Sequence, residues 1–251
     1  MKKRISSTIT IIISISIVLT IWFVISYIVK IRTLYVPTPI ATFSRLIDLS
    51  QTEMFWLDIL YSFKRVLIGF GLSFIVAYPL MLVSLLNKNV KKVVFNLVEF
   101  FRYLPIPVFI PLTILWFGIG DFGKIFIIFL GTFAQMIPMF YDSANLLNNK
   151  FPAFTAALKW KKTDHIKKII IPGSAPLIMD NARLCFGWAW TYLIIAELLG
   201  AENGMGYAII RAQRYLATDK IFAYIITIGL IGVLIDRSIY FFKNKLFRWQ
   251  L

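Results

Sequence analysis

Histidine, cysteine and acidic side chains are all scarce in this chain. His165 is the only histidine, Cys185 the only cysteine, and 12 Asp and Glu stand against 27 Lys and Arg. A single cysteine excludes an internal disulfide and any multi-cysteine metal site. Lying inside an apolar run, Cys185 reads as a small buried hydrophobe. A lone histidine without second and third ligands makes no metal centre, so neither a metal nor any other cofactor is expected. Charge is sparse too, at 16% of residues against about 25% in a soluble domain. Repeats of fixed period and low-complexity linkers are both missing, so residues 1–251 read as one domain.

Apolar side chains fill the space. They make up 59% of the residues, with a mean hydropathy of +0.77. One core in a chain of this size cannot hide that much apolar surface, and lipid is its natural solvent. The formal charge of +15 could point to nucleic acid, but its placement argues otherwise. Basic clusters fall at Lys2, Lys3 and Arg4, at Lys88, Lys91 and Lys92, in Lys150–Lys168 with six lysines, and at Lys243, Lys245 and Arg248. They lie between apolar runs, as cytoplasmic loops do.

About 20 apolar residues cross the hydrocarbon layer as a helix. That ruler predicts an all-α integral membrane protein with six spans, roughly 9–29, 60–86, 93–117, 122–146, 175–198 and 219–242. The N-terminus mimics a signal peptide, but its apolar run is too long and lacks a small-residue cleavage site, so it reads as an uncleaved first span. The core of the domain is about 58–242. An even count puts both termini on one side, and the four basic clusters hold fifteen of the 27 Lys and Arg with Asp164 as their one acid. The expected location is the inner (plasma) membrane, multi-pass, with both termini cytoplasmic. His165 then lies across the membrane from the polar residues of the spans, so no Ser-His-Asp or Cys-His constellation forms, and the chain is not expected to be an enzyme.

Three stretches do not span. Tyr35–Asp58 opens with a Pro37-Thr38-Pro39 turn and predicts a short amphipathic surface helix. Pro152–Pro172 is long, basic and bracketed by prolines. Gly200–Lys220 mixes Gly204 and Gly206 with the polar run Arg211-Ala-Gln-Arg214.

Gly118-Ile-Gly-Asp-Phe-Gly-Lys124 matches G-x-x-x-x-G-K up to its last position. Ile125 stands where a magnesium-binding hydroxyl is needed, and an apolar span rather than a strand precedes it. A tight turn between spans is the better reading. Pro105, Pro107 and Pro111 fall within one span; each removes a backbone hydrogen bond, which lipid tolerates where protein or a water-filled cavity answers the freed carbonyls. The alternatives are a broken helix lining a pathway and a packing kink. Glu99 with Arg102, and Asp180 with Arg183, are spaced to pair on one helix face. Glu197 has no partner in its own segment. Phe186, Trp188, Trp190 and Tyr192 would suit a flat ligand or simple helix packing.

Phe151–Pro176, FPAFTAALKWKKTDHIKKIIIPGSAP, resembles the cytoplasmic coupling segment of binding-protein-dependent ABC permeases. Ile169, Ile171 and Pro172 fall on its closing Ile-x-Leu-Pro; Ala153, Phe154 and Thr155 stand on its Glu-Ala-Ala, and Lys159 on its glycine. Other motifs follow in family order: Phe63 to Phe70, Leu104-Pro-Ile-Pro107, Pro111 to Gly120, Ala189-Trp190 through Ala196-Glu197, Gly204-Met-Gly206-Tyr, and Ile228 to Gly232 with Asp236. These are similar to the nitrate, sulfonate and taurine type of permease.

The resemblance implies the membrane-spanning permease subunit of an ATP-driven importer. Its partners would be two ATP-binding subunits, which hydrolyse ATP, a second permease in a homodimer or heterodimer, and an extracytoplasmic binding protein. A coupling helix between spans four and five, in Ala153–His165, would carry Phe154, Ala156, Ala157, Lys159, Trp160 and His165. Pro152 can start that helix; a basic amphipathic segment resting on anionic lipid is the alternative. The translocation pathway would use Pro105, Pro107, Trp188, Trp190, Tyr192 and Glu197. The solute would be a small nitrate-, sulfonate- or taurine-like anion or a vitamin-like heterocycle. A secondary carrier, the other transport class, would need ion-coupling residues and commonly an inverted repeat.

Overall fold

The computed structural model describes residues 2–28, 34–148 and 159–250. Among them the chain is helical throughout, with no strand. Helix α1 is Lys2–Phe23 and runs into a π-helical turn, Val24–Ile28. Most of its apolar side chains are exposed. Trp22 ties its end to the rest: the indole N–H donates to the Pro37 carbonyl at 2.9 Å and the ring stacks on Phe222 at 5.7 Å.

Helix α2, Pro39–Ser50, is the amphipathic surface helix expected from the sequence. Thr38 caps it by accepting from the Ala41 N–H, Pro39 sits where no N–H is needed, and Thr42 and Leu49 are its buried side chains.

Helix α3, Glu53–Leu86, has 34 residues, about 51 Å at 1.5 Å per residue. It starts earlier than the apolar run because Glu53 to Tyr61 continue the helix beyond the hydrocarbon-length stretch. Ser62, Gly69, Ser73 and Ala77 are buried on it, three of them at four-residue spacing. Such a seam lets backbones approach closely. A Cβ at Gly69 would stand 2.8 Å from Ile128, and the Ser73 and Thr132 hydroxyls share a hydrogen bond at 2.6 Å. The partner is α6, Asp121–Asn148.

The expected span 93–117 is not one helix. Helix α4, Lys88–Tyr103, ends at Leu104, a 3-10 turn covers Ile106–Phe109, and α5 is Ile110–Phe117. The two halves meet at 90°. Proline disfavours helical geometry in the residue before it, and Leu104 is extended, with φ −77° and ψ 128°.

The basic segment ends in a short turn of helix, α7 (Lys162–His165), which passes through a π-helical turn, Ile166–Ile170, into α8, Ile171–Gly200. Helix α9 is Met205–Arg214 and α10 is Thr218–Leu246. By length and composition, α3, α6 and α10 can each cross a membrane, and the bent α4–α5 pair makes a fourth candidate span.

Candidate functional site

The beginnings of α3, α6 and α9 meet the end of α8 at one end of the bundle, and Arg65 lies at the centre of that junction. Its side chain is 2% exposed. Arg65 Nη1 donates to Glu197 Oε1 at 2.6 Å and to the Asn203 carbonyl at 2.9 Å. Nε and Nη2 both reach Asp121 Oδ1, at 2.8 and 2.6 Å, and Nη2 also donates to Asn203 Oδ1. Ser62 Oγ donates to the Glu197 carboxylate at 2.8 Å and accepts from the Met205 N–H at 2.9 Å. The Gly206 N–H reaches Glu197 Oε2 at 2.9 Å. Asp58 accepts from the Gly204 N–H at 3.1 Å and from the Tyr224 hydroxyl at 2.8 Å.

The two glycines flanking Met205 are required by this geometry. Gly204 has φ +107°, and a Cβ there would lie 2.5 Å from Glu197 Oε1. A Cβ at Gly206 would lie 2.6 Å from Glu197 Cβ. The carboxylate is gripped by backbone that only glycine can bring so close. A charge removed from water is tolerable when paired and fully hydrogen-bonded, and that condition is met here.

Glu197 therefore has its partner on α3, 132 residues away in sequence, and nothing local could reveal it. One clue was available: Arg65 and Glu197 carry opposite charge near the same end of two different apolar runs. Lys124 of the P-loop-like motif folds back instead, its Nζ donating to the Ile119 and Gly120 carbonyls at 2.5 and 3.1 Å. With Gly118 at φ +73°, that motif forms the turn between α5 and α6.

A second polar locality lies at the break of the third span. A pocket of about 230 Å³ opens there between the α4 end, α6 and α8. Arg102, Pro105 and Pro107 line one side, and Gly131, Gln135 and Tyr192 the other. The Tyr192 ring lies directly over Gly131, where a Cβ would come within 2.5 Å of it. Of the expected pathway residues, Pro105, Pro107 and Tyr192 thus come together. Trp190 instead packs in the core, its ring 6.5 Å from Phe63, Trp188 is 40% exposed, and Glu197 belongs to the Arg65 network.

The helix-face ion pairs expected from spacing form differently. Asp180 pairs with Lys243 at 2.6 Å and Arg183 with Asp236 at 3.3 Å, both across to α10. An intrahelical pair offers only a few tenths of a kcal/mol, so a packed neighbour presenting the opposite charge captures each partner. Among the described residues, Glu99 and Arg102 form no ion pair with each other.

Phe154, Ala156 and Ala157 of the expected coupling segment lie outside the described residues. Lys159 adopts φ +52°, a left-handed conformation suited to the glycine that the resemblance puts there. Lys168 Nζ stands 4.7 Å over the Trp160 ring, and His165 is buried.

An all-helical bundle with several bilayer-length apolar helices and a proline-broken span defines a polytopic membrane protein. The comparisons make this specific. Residues 69–248 match the family model for the binding-protein-dependent transport system inner membrane component, and the chain belongs to that family. A probable ABC transporter permease protein of Brucella abortus is 31% identical over 214 residues, covering 85% of this chain and 86% of the relative. A putative aliphatic sulfonates transport permease protein of Bacillus subtilis is 29% identical over 238 residues, covering 94% and 85%. The fold resembles a chain of the MetNI methionine ABC transporter in an inward-facing conformation, with TM-score 0.65 and 18% identity over 79% of this chain and 98% of that one. The protein is a membrane-spanning permease subunit of an ABC importer.

Proposed function

We propose that this single-domain permease crosses the membrane six times, keeps both termini and residues 150–168 in the cytoplasm, and carries a small anion of the sulfonate type. The Arg65 end then faces outward, where an extracytoplasmic binding protein delivers the solute. A second permease subunit completes the pathway, and two ATP-binding subunits beneath the pair hydrolyse the ATP. The basic clusters support the orientation, and the sulfonate relative supports the solute class.

The observation that carries the pathway reading is the 90° break at Leu104 with a pocket opened beside it. Irregular backbone at membrane depth is tolerated where it lines a cavity. Pro105, Pro107 and Tyr192 then form part of the route, and Glu197 holds its outer end in shape.

Energy enters through 153–165, where Phe154, Ala156, Ala157 and Trp160 present an apolar patch to the ATPase, flanked by Lys159 and His165. ATP-driven closure shifts the permease between outward and inward access. The test is the double substitution Phe154→Ala with Trp160→Ala in the full complex. It should release the ATPases while the permease still inserts. Full solute-stimulated hydrolysis by the double variant in lipid would refute the coupling assignment.

A further inference from the structure

The pocket at the break carries donors and no acid. Arg45, Arg65 and Arg183 each face a carboxylate. Arg102, on the wall of the pocket, faces none among the described residues. Gln135 lies in the middle of an apolar membrane helix, half-buried, and its side-chain amide has no hydrogen-bond partner among the described residues. The Tyr192 hydroxyl is likewise unanswered there. Unpaired polar groups at such depth face a cavity or a ligand. No Asp or Glu lines the pocket: Glu99 and Arg102 are both exposed on α4, and of the two only Arg102 lies on the pocket wall.

We propose that this pocket binds the anionic headgroup of a small solute, a sulfonate or carboxylate, through the Arg102 guanidinium, with the Gln135 amide and Tyr192 hydroxyl as further donors. Guanidinium keeps its charge and presents a planar fork that matches an oxyanion. Amide N–H and phenol O–H complete a donor set for oxygen atoms that carry no protons. The volume, about 230 Å³, falls below the roughly 300–1,000 Å³ of sites for drug-sized ligands, which suits a solute of a few heavy atoms. Prolines 105 and 107 hold the wall rigid and contribute no N–H of their own. The proposal rests on the reading that a small anion passes this break, and it adds the residues that hold the anion's charge on the way.

The experiment uses the full importer complex in lipid nanodiscs with Cys185→Ser. Leu104→Cys and, separately, Gln135→Cys report on the pocket through their rate of reaction with methyl methanethiosulfonate, which is small and neutral. Ethanesulfonate should slow labelling at Leu104→Cys about ten-fold at ten times its half-protecting concentration. Ethanesulfonamide, similar in shape but neutral, should not protect. Adding Arg102→Gln should abolish the protection, and Arg102→Lys should restore part of it. Reaction at both positions without protection by ethanesulfonate, or equal protection by the sulfonamide, overturns the anion site and leaves the pathway reading standing. No reaction at either position overturns both. Nanodiscs of phosphatidylcholine alone are compared with discs containing phosphatidylglycerol. Protection that needs phosphatidylglycerol and no ethanesulfonate assigns the pocket to a lipid headgroup, and the proposal falls.

Discussion

Arg65 and Arg102 lie in the same apolar bundle but keep different company. Around Arg65, three carboxylates, a side-chain amide, a serine and three backbone N–H groups close a network with the charges answered. Around Arg102, the donors of Gln135 and Tyr192 face the same open volume without acceptors. A satisfied network rigidifies and specifies one arrangement of helices, whereas an unsatisfied one leaves its binding energy for something that arrives. The first holds five helices in register, and the second is the site proposed for an anionic solute.

The largest expected effect comes from breaking the closed network. Arg65→Leu strands Glu197 and Asp121, and losing one partner of a buried pair costs about 3–5 kcal/mol. Thermal unfolding of the detergent-solubilised variant should show the loss. Adding Glu197→Leu should recover part of it, because the two sites are strongly coupled. Additive losses would mean that the pair does not act as a unit.

Gly204→Ala should come next. A non-glycine residue in that backbone region costs about 1–3 kcal/mol, and the new Cβ also presses on the Glu197 carboxylate. The same unfolding measurement should place it below Arg65→Leu. A neutral result would show that the loop can move away without cost.

Gly131→Ala moves the comparison to the open side. The added methyl collides with the Tyr192 ring, and overpacking costs about 1–3 kcal/mol. Because a ring can rotate where a backbone cannot, the loss should sit at the low end of that range. Solute uptake should fall more than stability does, since Tyr192 is displaced within the pocket.

The smallest expected effect is at Arg102. Arg102→Gln removes the same charge as the first variant but breaks no ion pair, so stability should stay within about 0.5 kcal/mol of the parent. A loss comparable to that of Arg65→Leu would erase the distinction between the two regions.

Long apolar runs and the placement of lysine and arginine in this sequence mark an integral helical protein, because lipid forces every backbone polar group into helices and forces side chains to follow depth. Prolines 105 and 107 marked a disturbed helix, since a ring without an N–H cannot continue a ladder, but left open whether it breaks or merely kinks. The helix ahead of Asp58 was also visible, from its proline turn and its alternating side chains. These are local signals carried by neighbours in the chain.

Only the tertiary structure decided which polar groups meet. Asp180 and Arg183 have the spacing of a pair and go to Lys243 and Asp236 instead, because a packed helix outcompetes a neighbour on the same face. The depth of the bend, 90° at Leu104, depends on what α6 and α8 offer the freed chain. Glu197 and Arg65 find each other across 132 residues, while Arg102 and Gln135 share a pocket without meeting. A side chain's charge is fixed by its own chemistry, but whether that charge is answered depends on which helix packing brings to it.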